Sequence, residues 1–355
     1  MPGYVDAVLQ EASLRRKETD GPIETVYFGG GTPSLLPPAL LRRLCLELKR
    51  ILPVSPNAEW TAEANPGTIT QEWVETAVSC GINRISLGMQ AFQSRHLEML
   101  GRIHRFSDVE KSVEICRLAG IHNLSLDLMF GLPGQTPVEW RETLEAAVLL
   151  QPQHLSAYGL IPEEGTPLFQ DLQDGALSLP EPEEEREMYE TALSVARQHG
   201  YVQYEISNFA RPGFECAHNV GYWTQVPYLG LGASAASLTE MERSENGLRY
   251  VRRTNTGNLD EYRKGMESGS PVWTEVTPIS PAEAQFETMM LGLRMNRGVS
   301  EERFAELHGI PLERRYGGKC RLLERKGLLV REGEVWKLTR LGMDLQNMAL
   351  TELMD

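Results

Sequence analysis

The first two thirds of this sequence alternate short apolar runs with amphipathic helical patterns, and this order restricts the fold more than any other feature. Strands that alternate with helices along a chain indicate βα units, which place their strands in a parallel sheet. Residues 38–51 show the helical pattern clearly, because Leu41, Leu44 and Leu48 fall on one face. The strand candidates are residues 25–28, 59–64, 84–87, 124–130, 154–158 and 202–206. We therefore expect an α/β fold built on a parallel sheet.

Glycine, polar and charged residues stand where several of these strands end, and in α/β barrels the loops at that edge carry the binding residues. Glycines let the backbone approach a small ligand, carboxylates and amides accept hydrogen bonds, and an arginine can pair with a ligand carboxylate. Each residue alone is explained equally well by a tight turn, a helix cap or a surface charge. Together they suit a zwitterionic nucleoside. They are Gly30, Gly31, Thr32, Glu63, Gln90, Arg102 and Asp127.

A second candidate site lies in residues 207–237, which are rich in glycine, proline and aromatic residues and show weak periodicity. This segment contains the motif HNVGYW at 218–223. The neutral imidazole of His218 can be an axial ligand of heme iron, and Tyr222 and Trp223 offer apolar surface to a porphyrin. The alternative is that His218 is a packed loop histidine without a ligand.

The pattern of alternating strands and helices ends near residue 278. Helical patterns at 283–293, 301–307 and 314–326 precede two short apolar runs around Glu332-Gly333. Three helices and a hairpin indicate a winged-helix-like domain at 278–355, which follows a main domain at 1–270. We expect this C-terminal domain to pack against the main body rather than to bind DNA. A net charge of −14, from 35 basic and 49 acidic residues, also disfavours nucleic acid as a partner.

Several features bear on the compartment. No uninterrupted apolar stretch approaches the roughly 20 residues that span a bilayer, and the start lacks a basic region followed by an apolar block. The five cysteines are far apart and form no C-x-x-C pair. We therefore expect reduced thiols and a soluble, cytoplasmic protein.

Five motifs allow a comparison with known families. They are YFGGGTPS at 27–34, EANP at 63–66, RISLGMQAF at 84–92, GRIHR at 101–105 and DLMFGLPGQT at 127–136. In this order they resemble the motifs of radical S-adenosylmethionine (SAM) proteins of the oxygen-independent coproporphyrinogen oxidase and heme-chaperone group. The resemblance extends from Tyr4 to the C-terminus. It implies a partial (β/α) radical-SAM barrel with a C-terminal helical winged-helix-like domain.

The resemblance also implies that SAM lies across the rim of the barrel. The family's glycine-rich SAM contacts match Gly31 and Thr32, with Gly30 as a neighbour. Its further SAM-binding positions match Glu63, Gln90, Arg102 and Asp127.

The same family holds a [4Fe–4S] cluster with a C-x-x-x-C-x-x-C motif, in which three thiolates leave one iron open for SAM. The sequence contains no such motif, and its first residues resemble the helix that follows the cluster loop. The resemblance thus implies that the cluster segment is missing and that the chain as given is inactive in radical chemistry. We expect an internal Met taken as the start, or a truncated sequence, rather than a genuine cluster-free relative.

The HNVGYW motif resembles the one associated with heme binding in the heme-chaperone branch of this group, and residues 204–210 resemble the same branch. The resemblance implies that heme binds at His218, Tyr222 and Trp223, with His218 as the iron ligand. It implies apo-hemoproteins of the respiratory chain as acceptors, which would allow peripheral membrane association through these partners. Where relatives often carry a histidine, this chain has Ala236.

Two alternatives to a heme chaperone stay open at this point. The first is an oxygen-independent coproporphyrinogen III oxidase, which decarboxylates propionates oxidatively with a SAM-derived radical. The second is a cluster-free remnant of the SAM fold with an interaction role. The HNVGYW motif favours the chaperone.

Overall fold

Strands β1 to β5 and the C-terminal helices follow the apolar patterns of the sequence, and their bounds are given below with those of the other elements. The computed structural model describes residues 1–19, 21–244 and 247–354. The strands are β1 Ile23–Phe28, β2 Val54–Ala64, β3 Arg84–Gln90, β4 Asn123–Phe130, β5 His154–Gly159, β6 Val202–Glu205, β7 Asn208–Ala210, β8 Ala236–Ser244, β9 Gly247–Asn255, β10 Trp273–Ile279, β11 Val299–Ser300, β12 Leu329–Glu332 and β13 Val335–Leu338. The helices are α1 Pro2–Leu14, α2 Pro38–Ile51, α3 Gln71–Ser79, α4 Ser94–Met99, α5 Phe106–Leu118, α6 Pro137–Leu149, α7 Pro167–Gln173, α8 Pro182–Gln198, α9 Ala217–Trp223, α10 Leu259–Glu267, α11 Pro281–Gly292, α12 Glu301–His308, α13 Leu312–Arg325, α14 Arg340–Asp344 and α15 Gln346–Leu353.

These elements divide between two compact units. The barrel unit comprises Thr25–Cys45 and Asn57–Cys216. The C-terminal unit comprises Met1–Glu24, Leu46–Pro56 and Ala217–Asp355. The domain division at 270 and 278 stays a prediction.

A seven-stranded sheet forms the centre of the barrel unit, in the order β1-β2-β3-β4-β5-β7-β6. Strands β2 to β5 pair in parallel, each with the next along the chain, as βα units require. The sheet curls as part of a barrel, so the predicted partial (β/α) barrel is confirmed. One detail differs from the expected parallel sheet. The chain turns back after β6, and β7 pairs antiparallel with both β5 and β6.

The two faces of this sheet differ in chemistry because side chains alternate along each strand. One face is apolar and buried, as Ile85, Leu87, Leu124, Leu126 and Leu155 show. Parallel sheets usually carry apolar residues on both faces. Here the opposite side, which we call the polar face, carries Thr61, Glu63, Arg84, Ser86, Ser125, Asp127, His154 and Ser156.

Helix α6 shows how local sequence sets the helices beside the sheet. Two reciprocal hydrogen bonds cap its first turn. The Glu139 carboxylate accepts from the backbone N–H of Thr136 at 3.0 Å, and the Thr136 hydroxyl accepts from the backbone N–H of Glu139 at 3.3 Å. Pro137 occupies the first helical position, where no N–H is needed. The buried Trp140 then donates from its indole to the Met188 carbonyl in α8 at 2.8 Å, which joins the two helices.

Glu11 of α1 is fully buried and organises part of the C-terminal unit. Its carboxylate accepts from the Tyr262 hydroxyl at 2.7 Å, the Asn255 amide at 2.8 Å and the Gly232 backbone N–H at 2.8 Å. It also pairs with Arg15 at 3.0 Å. A buried carboxylate is tolerated when its lone pairs are filled in this way. One side chain therefore links α1, α10, β9 and the loop before β8.

The last part of the chain has the order of a winged helix. Helices α11, α12 and α13 precede the β12–β13 hairpin, and β11 adds a third strand next to β13. Phe304, Tyr316, Leu323 and Trp336 fill the core between them. Gly333 has a φ of 62° at the hairpin turn, a conformation that favours glycine. The predicted winged-helix-like C-terminal domain is confirmed.

Candidate functional site

The ends of β1 and β2 bring a carboxylate next to the glycine run. The Tyr27 hydroxyl donates to Oε1 of Glu63 at 2.9 Å, and the backbone N–H of Gly30 also donates to this carboxylate. A side chain at Gly29 would lie 2.8 Å from the Tyr27 ring and 2.9 Å from Oε1 of Glu63, so only glycine fits there. Gly31 is open, with no atom within 4 Å of an added Cβ. The backbone at Gly30 and Gly31 is thus accessible beside Glu63.

Asn65 links two of the predicted residues. Its amide donates to Oγ1 of Thr32 at 3.2 Å, and its carbonyl oxygen accepts from Nη1 of Arg102 at 3.2 Å. The structure therefore brings Thr32 and Arg102 to one place, although 70 residues of sequence separate them. Asn65 lies within the EANP motif but was not among the predicted site residues.

Gln90 ends β3 in an unusual backbone conformation, with a φ of 62°. The pairing of β3 with β4 shifts register between Leu87 and Gln90, which marks a bulge. The Gln90 side chain lies over Gly88, where an added Cβ would stand 2.9 Å from Nε2 of Gln90. Bulges often redirect a side chain next to a functional site, and this one directs Gln90 toward Asn65, whose Oδ1 lies 3.5 Å from the same point.

Asp127 lies on the polar face and is surrounded by serine hydroxyls. Ser86 lies 3.0 Å from both of its carboxylate oxygens, and Ser125 and Ser156 also donate to it. Polar residues occur at every second position of β3, β4 and β5, and this pattern could have identified these serines from the sequence. The prediction from motifs alone identified Asp127 and missed its partners.

Burial governs the charge of the two carboxylates. It raises the pKa of Glu63, against hydrogen bonds from Tyr27 and Gly30 that lower it, and the neighbouring Asp127 charge raises it further. Burial also raises the pKa of Asp127. The guanidinium of Arg84, which is only 2% exposed, partly offsets this effect at Asp127. A cation or a hydrogen-bond donor beside these carboxylates would offset the cost of burying their negative charges.

The segment expected to be irregular contains a helix, α9, that carries the HNVGYW motif. His218 and Tyr222 are four residues apart and therefore share one side of it. Nε2 of His218 lies 3.0 Å from the Tyr222 hydroxyl, and their rings meet edge to face at 4.8 Å. Tyr228 packs edge to face on Tyr222 at 4.7 Å. Tyr222 is 37% exposed, so this aromatic group reaches the surface.

Trp223 points to a different side of α9, since five residues turn a helix by about 140° from His218. Its ring packs under the Arg294 guanidinium at 4.6 Å. Two residues later, the buried Gln225 donates to the Ala284 carbonyl of α11 at 3.2 Å. Tyr222 and Trp223 thus do not form one flat surface in this structure, and Trp223 helps to fix α9 on the C-terminal domain. Its contact with heme stays a prediction.

Exposure separates His218 from most of the other histidines. Four of the seven are buried: His96, His104, His154 and His308. His122 and His199 are exposed, and His218 is half-buried beside an aromatic ring. His218 therefore combines access with an apolar setting, as an axial heme ligand requires.

The cysteines do not form a metal site. All five are free and buried. Within the ranges that the structure describes, no three His, Cys, Asp or Glu side chains form a group that could hold a metal ion. The residues present therefore do not fit a [4Fe–4S] cluster, and no radical step is assigned to them.

Comparison with known proteins identifies the family of this chain. The Radical SAM superfamily profile matches residues 4–147, and the HemN C-terminal domain profile matches residues 279–345. The heme chaperone HemW of Bacillus subtilis is 38% identical over 347 residues, which cover 97% of this chain and 89% of that protein. The chain belongs to the HemW family of radical SAM proteins. The HemW of Synechocystis is 39% identical over 84% of this chain and 70% of its own length.

One solved structure has the same fold as this chain. Coproporphyrinogen III oxidase (HemN) from Escherichia coli has a TM-score of 0.80 and covers 99% of this chain and 82% of its own. Its sequence identity is 20%, so the likeness shows a common fold alone. The relatives with 38% and 39% identity carry the HemW name, and the oxidase alternative is correspondingly less supported. Radical SAM proteins take SAM and a [4Fe–4S] cluster.

Among the helices of the described ranges, none is both long enough and apolar enough to span a membrane.

Proposed function

We propose that this chain is a heme chaperone that binds heme at His218 and delivers it to an apo-protein, with SAM bound at the strand ends of the barrel unit. The observation that carries the proposal is the accessible His218 imidazole on an aromatic side of α9. Its sequence setting is that of a family whose members are named heme chaperones.

The proposed heme site uses the two kinds of group that heme needs. Iron takes an axial imidazole, and the macrocycle needs apolar surface. His218 supplies the first, while Tyr222 with Tyr228 behind it supplies the second. Trp223 would contribute at the edge of the site, next to Arg294.

The proposed SAM site uses residues at or near the ends of β1 to β4, together with Arg102 from the loop between α4 and α5. Glu63 and Asp127 accept hydrogen bonds from the ammonium or ribose hydroxyls of the ligand, and Arg102 pairs with its carboxylate. Gly30, Gly31 and Thr32 provide backbone and hydroxyl contacts, and Gln90 adds an amide. The residues described here bind and orient SAM.

We also propose the acceptors and the compartment. The acceptors are apo-hemoproteins of the respiratory chain, and contact with them would bring the chain to the membrane surface. Five free thiols suit a reducing compartment, which supports a cytoplasmic location.

Heme titration of the purified chain tests the heme site. We expect a Soret band that saturates at one heme per chain, and an affinity for His218→Ala that is lower by about tenfold or more. His199→Ala is the matched control, because it removes an exposed histidine outside the site. An unchanged spectrum and affinity in His218→Ala would remove His218 as the ligand.

A further inference from the structure

A continuous series of hydrogen bonds on the polar face leads to the Asp127 carboxylate. The Tyr204 hydroxyl lies 2.9 Å from Nε2 of His154, and Nδ1 of His154 lies 2.8 Å from Oγ of Ser125. Ser125 donates in turn to Oδ1 of Asp127 at 3.5 Å. From the other side, Ser86 donates to the same carboxylate at 3.0 Å.

Strand register explains why these side chains meet. Ser86 pairs with Ser125 across β3 and β4, and Ser125 pairs with His154 across β4 and β5. Asp127 lies two residues beyond Ser125, and side chains two apart share a face. The series is therefore built into the sheet itself.

The direction of the hydrogen bonds in this series follows from which group has a proton to donate. Burial, and then the charge of Arg84, holds the pKa of His154 well below its ordinary value, so the imidazole is neutral with one donor and one acceptor nitrogen. The Tyr204 hydroxyl already accepts from the backbone N–H of Cys216, which leaves its own proton for Nε2 of His154. Nδ1 then carries the ring proton and donates to Ser125. The Ser125 hydroxyl is left to donate to Asp127.

We propose that a series of buried donors positions Asp127 for its contact with SAM. Every hydrogen bond in the series donates toward this carboxylate, so the series favours its anionic form and fixes its orientation. Its members are Ser86, Ser125, His154 and Tyr204. They are positioning residues, because they act through Asp127 and do not touch the ligand. The proposal rests on the SAM site proposed above.

Asp127 needs such donors because its surroundings otherwise favour the neutral acid. Burial raises its pKa, whereas hydrogen bonds from Ser156 and Ser86 and the charge of Arg84 lower it. Within the described part of the sheet, the titratable and charged groups that face it are Tyr27 of β1, Glu63 of β2, Arg84 of β3, and His154 and Tyr158 of β5. The Asp127 charge raises the pKa of Glu63, so the two carboxylates disfavour being ionised together, and hydrogen-bond donors to Asp127 favour its anionic form.

The first test determines the histidine tautomer. In protein labelled with nitrogen-15 histidine, long-range proton–nitrogen correlation spectra distinguish a proton on Nδ1 from one on Nε2. His154→Gln identifies the His154 signals. If that variant does not fold, Tyr204→Phe identifies them, because it removes the partner of Nε2. We expect His154 to be protonated at Nδ1, and a proton on Nε2 would reverse the series and overturn the proposal.

The second test measures S-adenosylhomocysteine binding by calorimetry as a function of pH. Removing a donor raises the pKa of Asp127. We therefore expect the pH below which binding is lost to rise by about one unit in Ser86→Ala, and by less in Tyr204→Phe. Ser112→Ala is one matched control, because its buried hydroxyl donates to the Asp108 carbonyl within α5. Tyr201→Phe is the other, since its buried hydroxyl donates to the Pro152 carbonyl at 2.7 Å.

Two kinds of failure can be told apart. If the parent chain binds but both variants keep its pH limit, or lose the same factor of affinity at every pH, these residues only support the fold and the proposal is wrong. If the parent chain itself does not bind S-adenosylhomocysteine at any pH, the proposed SAM site is wrong, and the positioning role falls with it.

Discussion

Tyr222 lies one helical turn after His218, and its hydroxyl is 3.0 Å from Nε2 of that histidine. Nε2 of His218, the ring nitrogen farther from the backbone, thus already has a partner within the protein. For Nε2 to bind iron, this hydrogen bond has to break.

Tyr222→Phe should therefore tighten heme binding. The change keeps the aromatic ring beside His218 and removes only the competing hydroxyl. Because a neutral hydrogen bond contributes about 1 kcal/mol, we expect the affinity to rise by roughly fivefold. Tyr189→Phe is a control, because its hydroxyl donates to the Ile206 carbonyl within the barrel unit. A weaker affinity in Tyr222→Phe would mean that the hydroxyl orients the imidazole instead of blocking it.

Glu63→Gln should weaken S-adenosylhomocysteine binding and change its pH dependence. Burial raises the pKa of Glu63, so its carboxylate is lost as pH falls through a value above the ordinary one. Binding by the parent chain should decline through that range. The glutamine variant should bind about tenfold or more weakly at neutral pH and lose that part of the decline. Glu98→Gln, at an exposed position of α4, should match the parent at each pH in calorimetry.

Gly88→Ala tests the position of Gln90 without changing Gln90 itself. The added methyl would stand 2.9 Å from Nε2 of Gln90, so the amide must move. Only the end of a flexible side chain is displaced, and we expect the melting temperature to change little. S-Adenosylhomocysteine affinity should fall several-fold, because an ordered hydrogen bond is worth about 1 kcal/mol. Parental affinity, together with parental stability, would show that Gln90 does not contact the ligand.

Glu11→Ala should strongly destabilise the C-terminal unit. The change leaves Arg15, Tyr262 and Asn255 buried without their common acceptor. Breaking a buried charge pair costs about 3–5 kcal/mol, and we expect a loss of that size in urea unfolding. The same change at the exposed Glu110 should cost under about 1 kcal/mol. Equal losses in the two variants would contradict the role given to Glu11.

The sequence predicted the fold well where the apolar pattern is regular. Strands β1 to β5 and the winged-helix-like domain follow the expected segments. The turn between β6 and β7 was missed, because a three-residue strand such as Asn208–Ala210 has too few residues to show a period. Helix α9 was missed as well. It contains Gly221 and aromatic residues, so its pattern does not resemble an amphipathic helix.

Of the predicted site residues, Thr32 and Glu63 lie at the ends of β1 and β2, and Asp127 lies in the second half of β4. Arg102 lies in the loop between α4 and α5. The groups that connect them were not predicted. Asn65 and the serines contribute ordinary polar side chains, and which groups they contact depends on the strand that lies beside them. That pairing is a property of the sheet, and it becomes visible only when the register is known.

Delivery of heme is the central claim, and stopped-flow transfer from the heme-loaded chain to a soluble apo-cytochrome b tests it most directly. A chaperone releases heme within a complex with its acceptor, so the transfer rate should rise with acceptor concentration and exceed the rate of loss to apomyoglobin, a scavenger that only collects free heme. If the rate is instead the same for both acceptors and does not depend on their concentration, heme simply dissociates, and the chain is not a heme chaperone.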